Sequence, residues 1–179
     1  FWLNEGWTVW LERKITSRFK GSKEHGMLSA EMGWKHLKDD VALLECNCKP
    51  GFDYTKLVWP LGDQDPDEAF SGVPYEKGFC TLNYLENMVG SPAFEAFAMA
   101  YIDNFKFRTV TTLEFSNFFE AHFKEVKGPD FWENLFFGSG MFFMTPDFSN
   151  GLSDASRKLA ARWVANAVAG SVTDDCSGI

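Results

Sequence analysis

Two glutamates near the start of the chain could act together in chemistry, because a helix would place them on the same side. Glu5 and Glu12 are seven residues apart, which is about two α-helical turns. The segment also contains Trp7 and Trp10, and a carboxylate buried on such an apolar face needs a metal ion or a cation as its partner. Two glutamates at the solvated edge of a helix would show the same spacing. The spacing alone therefore leaves both metal binding and a solvent-exposed role open.

Helical patterns supply the elements that must position these side chains. Apolar residues recur with a period of about 3.6 over most of the chain. The pattern predicts helices over 3–20, 23–45, 74–89, 91–105, 112–126, 130–136 and 154–169. In the first helix, the apolar residues that fit this period are Leu3, Trp7, Trp10, Leu11, Ile15 and Phe19. Thr111 followed by Glu114 predicts a capping box ahead of the helix at 112.

Prolines and glycines mark the segments between these helices. They punctuate residues 46–66, which predicts a structured loop of a length that often carries function. Pro74 suits the first turn of the helix that follows. Thr55–Trp59 and Arg108–Thr111 are the strand candidates. Residues 138–151 lack a helical period and predict a linker that wraps the surface.

Length and composition bound the kind of protein. The chain of 179 residues is long enough for one sizeable domain, or for one domain and the start of another. Hydrophobic residues make up 45% of it, so a substantial core can be buried. The net charge of −8 argues against nucleic acid as a partner but suits a cationic ligand such as a peptide amino terminus. We expect no membrane span, because no segment is long and apolar enough.

The cysteines favour a reducing compartment. Cys46, Cys48, Cys80 and Cys176 contain no Cys-x-x-Cys pair and do not show the spacing of a disulfide framework. Cys46 and Cys48 could bind a metal ion, but reduced thiols fit better. We therefore expect a cytoplasmic protein.

The exact sequence of the first predicted helix favours metal binding over a solvent-exposed role. The segment Phe1–Arg13, which reads FWLNEGWTVWLER, closely resembles the gluzincin aminopeptidases, whose nearest members are leukotriene-A(4) hydrolase and aminopeptidase B. In that family one helix carries His-Glu-x-x-His and a second carries Asn-Glu-Gly. The two histidines and the glutamate of Asn-Glu-Gly bind one catalytic zinc ion, and Glu5 matches that glutamate. Three protein ligands and one water are the usual arrangement of a catalytic zinc site.

The resemblance implies that the rest of the site lies before Phe1. The histidines of the chain are His25, His36 and His122, and none of them stands in His-Glu-x-x-His. The Gly-x-Met-Glu-Asn substrate-binding segment of the family is also absent. Since the chain does not begin with Met and opens inside an apolar run, we expect it to be an internal fragment that is inactive by itself.

Two further motifs carry the resemblance. Val73-Pro74-Tyr75-Glu76-Lys77-Gly78 matches the family segment whose tyrosine hydrogen-bonds the tetrahedral intermediate, so Tyr75 inherits a role in oxyanion stabilisation. A tyrosine packed at the start of a helix is the simpler alternative. In Asp65-Pro66-Asp67-Glu68-Ala69-Phe70, Asp67 matches the aspartate that assists epoxide hydrolysis in leukotriene-A(4) hydrolase. Phe70 stands where that enzyme usually has tyrosine, which removes a hydroxyl from the pocket.

The resemblance also implies a substrate cleft. The apolar residues that would line it are Phe1, Trp59, Leu61, Pro66 and Phe70, although each is also acceptable as a core residue. Trp59 is bulkier than the aliphatic residue expected there and suggests a narrower side-chain pocket. From its helical phase relative to Glu5, Glu12 is expected behind the metal ligands, where it would orient a ligand or pair with a nearby cation, with a solvent-facing role as the alternative.

Together these observations predict a mainly α chain. We expect 1–136 to be the helical lobe of a thermolysin-like metallopeptidase catalytic domain, 137–152 a linker, and 153–179 the start of a carboxy-terminal HEAT/ARM-like helical domain. The implied function is zinc-dependent removal of amino-terminal residues from peptides, with hydrolysis of a lipid epoxide as a second candidate activity. A catalytically dead pseudo-enzyme, or a helical module that binds peptides or proteins, is the alternative, and an unrelated helical scaffold would need both motifs to be coincidental.

Overall fold

The computed structural model describes residues 1–47, 51–59, 62, 65–126 and 129–168. Its α-helices are α1 (Trp2–Phe19), α2 (Lys23–Asn47), α3 (Gly78–Val89), α4 (Ser91–Phe105), α5 (Thr112–His122), α6 (Pro129–Phe137) and α7 (Asp154–Val168). Two 3-10 helices, Pro66–Ala69 and Gly151–Ser153, and one π-helix, Val73–Lys77, complete the regular structure. The described part of the chain contains no strand, which confirms the predicted mainly α class.

Helix α1 is the central element of the fold. It packs against α2, α3 and the π-helix, and it buries Trp2, Val9 and Trp10. Not all of the periodic apolar residues are buried, because Leu11, Ile15 and Phe19 are 41%, 63% and 82% exposed. Apolar residues therefore lie on two sides of α1, and only one of these sides is covered by the described residues.

Aromatic side chains fill the core between α4, α5 and α6. Phe94, Phe97, Phe115 and Phe119 are almost fully buried, and Trp132 packs edge-on against Phe119 at 5.7 Å between ring centroids. Edge-to-face pairs of this kind are favoured by the ring quadrupoles. The high aromatic content is therefore explained mainly by helix packing.

Both strand predictions were wrong, because other groups take the backbone hydrogen bonds. In Thr55–Trp59, the Asp53 carboxylate accepts from the Thr55 backbone N–H at 3.1 Å, and the Val58 N–H donates to the Phe136 carbonyl at 2.9 Å. Such side-chain turns compete directly with ladder pairing. The segment Arg108–Thr111 follows a turn in which Phe107 has φ of 65°, and it leads directly into the cap of α5.

The helix ends are set by local chemistry. The predicted capping box is confirmed: the Glu114 N–H donates to the Thr111 hydroxyl, and the Glu114 carboxylate accepts from the Thr111 N–H. Helix α5 ends at His122 rather than near Val126, because Phe123 leaves the helical region with φ of −124° and ψ of 78°. The predicted helix 74–89 is a π-helix followed by an α-helix.

The segment after α6 runs back to α2. Asn150 Nδ2 and Ser153 Oγ donate to Glu31 Oε2 at 2.9 and 2.7 Å, and Arg157 forms an ion pair with the same carboxylate. Helix α7 itself has no buried residue. The boundaries 1–136, 137–152 and 153–179 stay a prediction, and residues 169–179 lie outside the described part of the chain.

None of the described helices combines the length and the apolar character needed to cross a membrane.

Candidate functional site

Two glycines bring the two motifs of the sequence into contact. Gly6 on α1 and Gly78 at the start of α3 face each other so closely that a Cβ on Gly6 would lie 2.9 Å from the Gly78 carbonyl carbon. A Cβ on Gly78 would in turn lie 3.0 Å from the Gly6 Cα. Only glycine permits this approach of backbone to backbone. The contact lays the π-helix, which precedes Gly78, against the first turns of α1.

Glu5 and Tyr75 meet beside this contact. The Tyr75 hydroxyl lies close enough to the Glu5 carboxylate for the negative charge to act on it. Partial burial raises the pKa of Tyr75, and the negative charge of Glu5 raises it further. The phenol is therefore protonated at neutral pH and is available as a hydrogen-bond donor. Asn4 Nδ2 also donates to Glu5 Oε1 at 3.1 Å.

The π-helix that carries Tyr75 is fixed at its start by α2. Asp40 Oδ2 accepts a hydrogen bond from the Gly72 backbone N–H at 2.6 Å, just ahead of Val73–Lys77. Single π turns are uncommon and are often found at functional sites. The acceptor on Asp40 satisfies a backbone group that the irregular turn would otherwise leave without a partner.

A buried ion pair holds the next residue of the π-helix. Arg13 Nη2 donates to both Glu76 oxygens, at 3.0 and 2.8 Å, and the side chains are only 6% and 15% exposed. The guanidinium lies 4.0 Å above the Phe79 ring and also donates to the Ser29 carbonyl at 3.1 Å. Gly33 leaves room for the pair, since a Cβ there would overlap both charged groups. Arginine suits such a site because its planar fork can bind a carboxylate while stacking on a ring.

Aromatic rings extend from Tyr75 across the surface. Phe70 packs edge-on against Tyr75 at 5.9 Å between centroids, and Phe1 packs edge-on against Phe70 at 5.4 Å. Phe1 and Phe70 are 51% and 55% exposed, so neither is a core residue. Phe1, Phe70 and Tyr75 therefore form one aromatic row, in which Phe1 and Phe70 are exposed and Tyr75 is half-buried.

The remaining cleft residues lie around the loop that precedes this row. Trp59 is partly buried and packs edge-on against Tyr54 at 5.1 Å between centroids. Tyr54 in turn donates to Glu68 Oε2 at 3.1 Å, which links Trp59 to the 3-10 helix Pro66–Ala69. Leu61, also predicted to line the cleft, lies outside the described residues.

Pro66 and Asp67 are both exposed on this 3-10 helix. Asp65 caps the helix by accepting a hydrogen bond from the Asp67 N–H at 3.0 Å, and Pro66 stands in the first turn. The Asp67 carboxylate is thus presented at the surface, six residues ahead of Val73, on the segment that leads to Phe70. Its predicted role stays a prediction.

The described residues supply one candidate metal ligand rather than a complete set. Glu5 is a half-buried carboxylate on a helix, which fits one corner of a zinc site. Within the ranges given above, no three His, Cys, Asp or Glu side chains are grouped closely enough to hold a metal ion. Glu12 lies two turns along α1 with an exposed side chain, and its role in orienting a metal ligand or pairing with a cation stays a prediction.

Sequence reasoning missed two buried charges that support the site. Arg13 ends the Phe1–Arg13 segment and Lys77 belongs to the hexapeptide of Tyr75, but neither had been given a role. Both are buried, with 6% and 2% of their surface exposed. Their positions inside the two motifs could have indicated a role, since a charged residue in a catalytic motif can hold the backbone in place as well as take part in the reaction.

Comparison with known proteins agrees with these motifs. Residues 1–133 match the Peptidase family M1 domain. The chain is 38% identical over 170 residues to leucine aminopeptidase 2 of Neosartorya fischeri, covering 92% of this chain and 27% of that protein. It is 40% identical over 170 residues to leucine aminopeptidase 2 of Sclerotinia sclerotiorum, covering 91% and 27%. A leukotriene A-4 hydrolase homolog of Botryotinia fuckeliana is 38% identical over 170 residues, covering 91% and 25%.

Solved structures give the same result for the fold. Native leukotriene A4 hydrolase from Saccharomyces cerevisiae superposes with a TM-score of 0.79 at 34% identity, covering 94% of this chain and 27% of that one. The yeast enzyme in complex with bestatin gives a TM-score of 0.80 at 34% identity, with the same coverage. The chain therefore spans about a quarter of the length of the relatives it matches.

Proposed function

This chain belongs to peptidase family M1, and from that premise we propose that the whole protein is a zinc-dependent aminopeptidase that removes amino-terminal residues from peptides. In this proposal Glu5 is one of three protein ligands of the zinc ion, and Tyr75 is a catalytic residue. The other two ligands and the general base belong to a part of the protein outside this chain.

The observation that carries the proposal is the meeting of Glu5 and Tyr75. They are seventy residues apart in the sequence, and the contact between Gly6 and Gly78 brings their two segments together, so that the Glu5 charge acts on the Tyr75 phenol. A carboxylate that can bind a metal ion then stands beside a phenol that is protonated at neutral pH.

Glu5 and Tyr75 would have different roles in the reaction. Zinc, when bound, would polarise the scissile carbonyl and make water a better nucleophile. Glu5 would hold the metal beside the phenol through its carboxylate. The Tyr75 hydroxyl would donate a hydrogen bond to the carbonyl oxygen as negative charge develops on it, and a donor fixed in advance stabilises the transition state more than the substrate.

We propose that the aromatic row and the neighbouring loop bind the side chain of the amino-terminal residue. Phe1 and Phe70 offer exposed rings next to Tyr75, and Trp59 adds bulk at the loop. A narrow pocket of this kind should favour small amino-terminal residues. Equal cleavage of peptides that begin with alanine and with tryptophan by the full-length protein would contradict it.

Hydrolysis of a lipid epoxide is a second proposed activity. Its support is the exposed Asp67 carboxylate on the segment that leads to Phe70 and Tyr75. Phe70 offers no hydroxyl to such a substrate, so we expect this activity to be weaker than peptide hydrolysis. Turnover of an allylic epoxide fatty acid by wild type, lost in Asp67→Asn with aminopeptidase activity retained, would support it; equal turnover by both would contradict it.

A cytoplasmic location is proposed as well. Cys46 and Cys80, the cysteines within the described residues, are both free thiols, as a reducing compartment would leave them. Fluorescence microscopy of a tagged full-length protein would test this, and a secretory-pathway signal would contradict it.

The proposed activity is tested by Tyr75→Phe in the full-length protein. Loss of one oxyanion donor typically lowers kcat by about 10²–10³-fold, and we expect that loss with little change in KM or zinc content. Tyr84→Phe is the matched control, because Tyr84 is also partly buried but packs on Phe131 and Phe143 away from Glu5.

The result also separates the enzyme from the alternative of a binding module. Wild-type protein that hydrolyses alanyl or leucyl fluorogenic substrates, with activity removed by a chelator and lowered by Tyr75→Phe, supports the proposal. A zinc-loaded wild type without turnover would favour a pseudo-enzyme. Equal activity in Tyr75→Phe and Tyr84→Phe would remove Tyr75 from the mechanism.

A further inference from the structure

Lys77 is buried two residues after Tyr75 on the same π-helix. Only 2% of its surface is exposed, and its Nζ donates three hydrogen bonds to backbone carbonyls. The acceptors are the carbonyls of Thr55 at 2.8 Å, Gly138 at 2.7 Å and Gly140 at 2.8 Å. A lysine ammonium has three N–H donors, so this cage satisfies all of them.

The cage joins two segments that are distant in sequence. Thr55 belongs to the loop 51–59, which leads to Trp59, whereas Gly138 and Gly140 follow α6. The same segments are linked directly, because the Gly140 N–H donates to Thr55 Oγ1 at 2.7 Å. The Lys77 ammonium is thus the point at which both segments attach to the π-helix.

The cage requires the charged form of Lys77. A neutral amine has only two N–H groups, so one of the three carbonyls would face a lone pair. Burial lowers the pKa of Lys77 to about 8, Asp53 and Cys80 oppose the change, and Lys56 adds to it. The ammonium form therefore predominates at neutral pH.

We propose that Lys77 is a positioning residue for Tyr75: its ammonium fastens the loop 51–59 and the segment 138–140 onto the π-helix and so fixes the phenol beside Glu5. This inference rests on the proposed function, because it assigns Lys77 a part in the same reaction. Lys77 does not touch the substrate. It acts through the backbone that it shares with Tyr75 and through the loop that presents Trp59.

The geometry explains why a buried charge is used at this place. Loop carbonyls that are buried need donors, and a single side chain satisfies three of them at once. Asp40 and Arg13 hold the ends of this turn at Gly72 and Glu76. Lys77 attaches the same turn to the loop 51–59 and the segment 138–140, so its loss leaves the turn freer to shift relative to Glu5.

The test compares Lys77→Met with Lys56→Met in the full-length protein. Lys56 lies on the loop 51–59 and is partly exposed, and its ammonium forms a long ion pair of 3.9 Å with Asp53. It is therefore a lysine on the same loop that does not bind the three carbonyls held by Lys77. We expect Lys77→Met to lower kcat by roughly 10- to 100-fold with a smaller change in KM, as small displacements of catalytic groups do. Zinc content should stay unchanged, and Lys56→Met should resemble wild type.

A double-mutant cycle separates positioning from mere stability. If Lys77 positions Tyr75, then Tyr75→Phe costs much less in the Lys77→Met protein than in wild type, because the phenol is already displaced. The same Tyr75→Phe penalty in both backgrounds would overturn the inference, as would a normal kcat per folded molecule in Lys77→Met. If Tyr75→Phe leaves kcat unchanged in the wild-type background, the result counts against the proposed function instead.

A readout that does not depend on activity completes the test. In protein labelled with fluorotyrosine, the ¹⁹F resonance of Tyr75, assigned from Tyr75→Phe, should shift in Lys77→Met and stay in place in Lys56→Met. An unchanged resonance would overturn the inference even if no substrate were turned over. If Lys77→Met does not fold, Thr55→Val removes the direct link to Gly140 with the Lys77 charge intact, and the same shift, of smaller size, is expected.

Discussion

Replacing Gly6 by alanine tests the contact on which the site depends. Two effects oppose each other. Alanine in a helix interior is favoured over glycine by about 1 kcal/mol. Against this, the new Cβ would lie 2.9, 3.0 and 3.2 Å from the carbonyl carbon, Cα and carbonyl oxygen of Gly78. All three atoms belong to the backbone and cannot rotate away, so α1 and α3 must move apart.

The steric effect should win. Overpacking of this kind costs roughly 1–3 kcal/mol, which leaves a net destabilisation of about 1 kcal/mol after the gain in helix propensity. In a domain of this size that lowers Tm by about 2–4 °C. The same movement separates Glu5 from Tyr75, and a displacement of about 1 Å can lower kcat on the order of 100-fold.

The assay is thermal unfolding and steady-state kinetics of the full-length protein. Thr8→Ala is the control, since Thr8 is exposed on the same helix and its replacement also favours helix without touching α3. Gly78→Ala should behave like Gly6→Ala, because its Cβ would lie 3.0 Å from the Gly6 Cα. A Gly6→Ala protein with wild-type Tm and wild-type kcat would refute the idea that this glycine contact sets the site.

Three further outcomes are expected. The purified 179-residue chain should show no chelator-sensitive aminopeptidase activity, because one carboxylate cannot hold zinc tightly; fluorophore release from an alanyl substrate that a chelator blocks would contradict this. The same chain should self-associate through Leu11, Ile15 and Phe19, so changing all three to serine should shift light-scattering masses toward the monomer, whereas Met99→Ser should not. Finally, the lowered pKa of Lys77 means that the unfolded chain binds more protons than the folded chain between about pH 8 and 10.5. The free energy of unfolding of wild type minus that of Lys77→Met should therefore become more positive as the pH rises through that window. The same value at pH 7.5 and 9.5, measured by urea unfolding of the full-length protein, would contradict this.

Local patterns were enough to predict much of the fold. The capping box of Thr111 and Glu114 depends on residues three apart, and the structure shows it as expected. The helical period and the glycine and proline breaks gave the order of the helices, because both are properties of short segments. The family of the chain followed from the motifs around Glu5 and Tyr75, which need no long-range information to be read.

Features that depend on distant residues were not predictable in this way. Threonine is common in strands, but the Thr55 N–H donates to the Asp53 carboxylate. The Thr55 carbonyl accepts a hydrogen bond from Lys77, which is twenty-two residues away. Helical periodicity could not show which of the two apolar neighbours Trp10 and Leu11 would be buried, and the structure buries Trp10 and exposes Leu11. Lysine is rarely buried, so composition alone would place Lys77 at the surface.

The candidate site was predictable as a set of residues rather than as a geometry. The motifs named Glu5, Tyr75 and Phe70, but not the glycine contact that joins α1 to α3. They also gave no role to Arg13, whose ion pair with Glu76 holds the turn that carries Tyr75. Such supporting contacts arise only when helices from different parts of the chain pack together.

The most direct test of the proposed site is the zinc content of the full-length protein carrying Glu5→Gln. Glu133→Gln is the control, because Glu133 is an exposed glutamate on α6. We expect about one tightly bound zinc ion per molecule in wild type and in Glu133→Gln, and loss of that zinc after dialysis of Glu5→Gln. A Glu5→Gln protein that keeps its zinc and its aminopeptidase activity would contradict the assignment of Glu5 as a ligand.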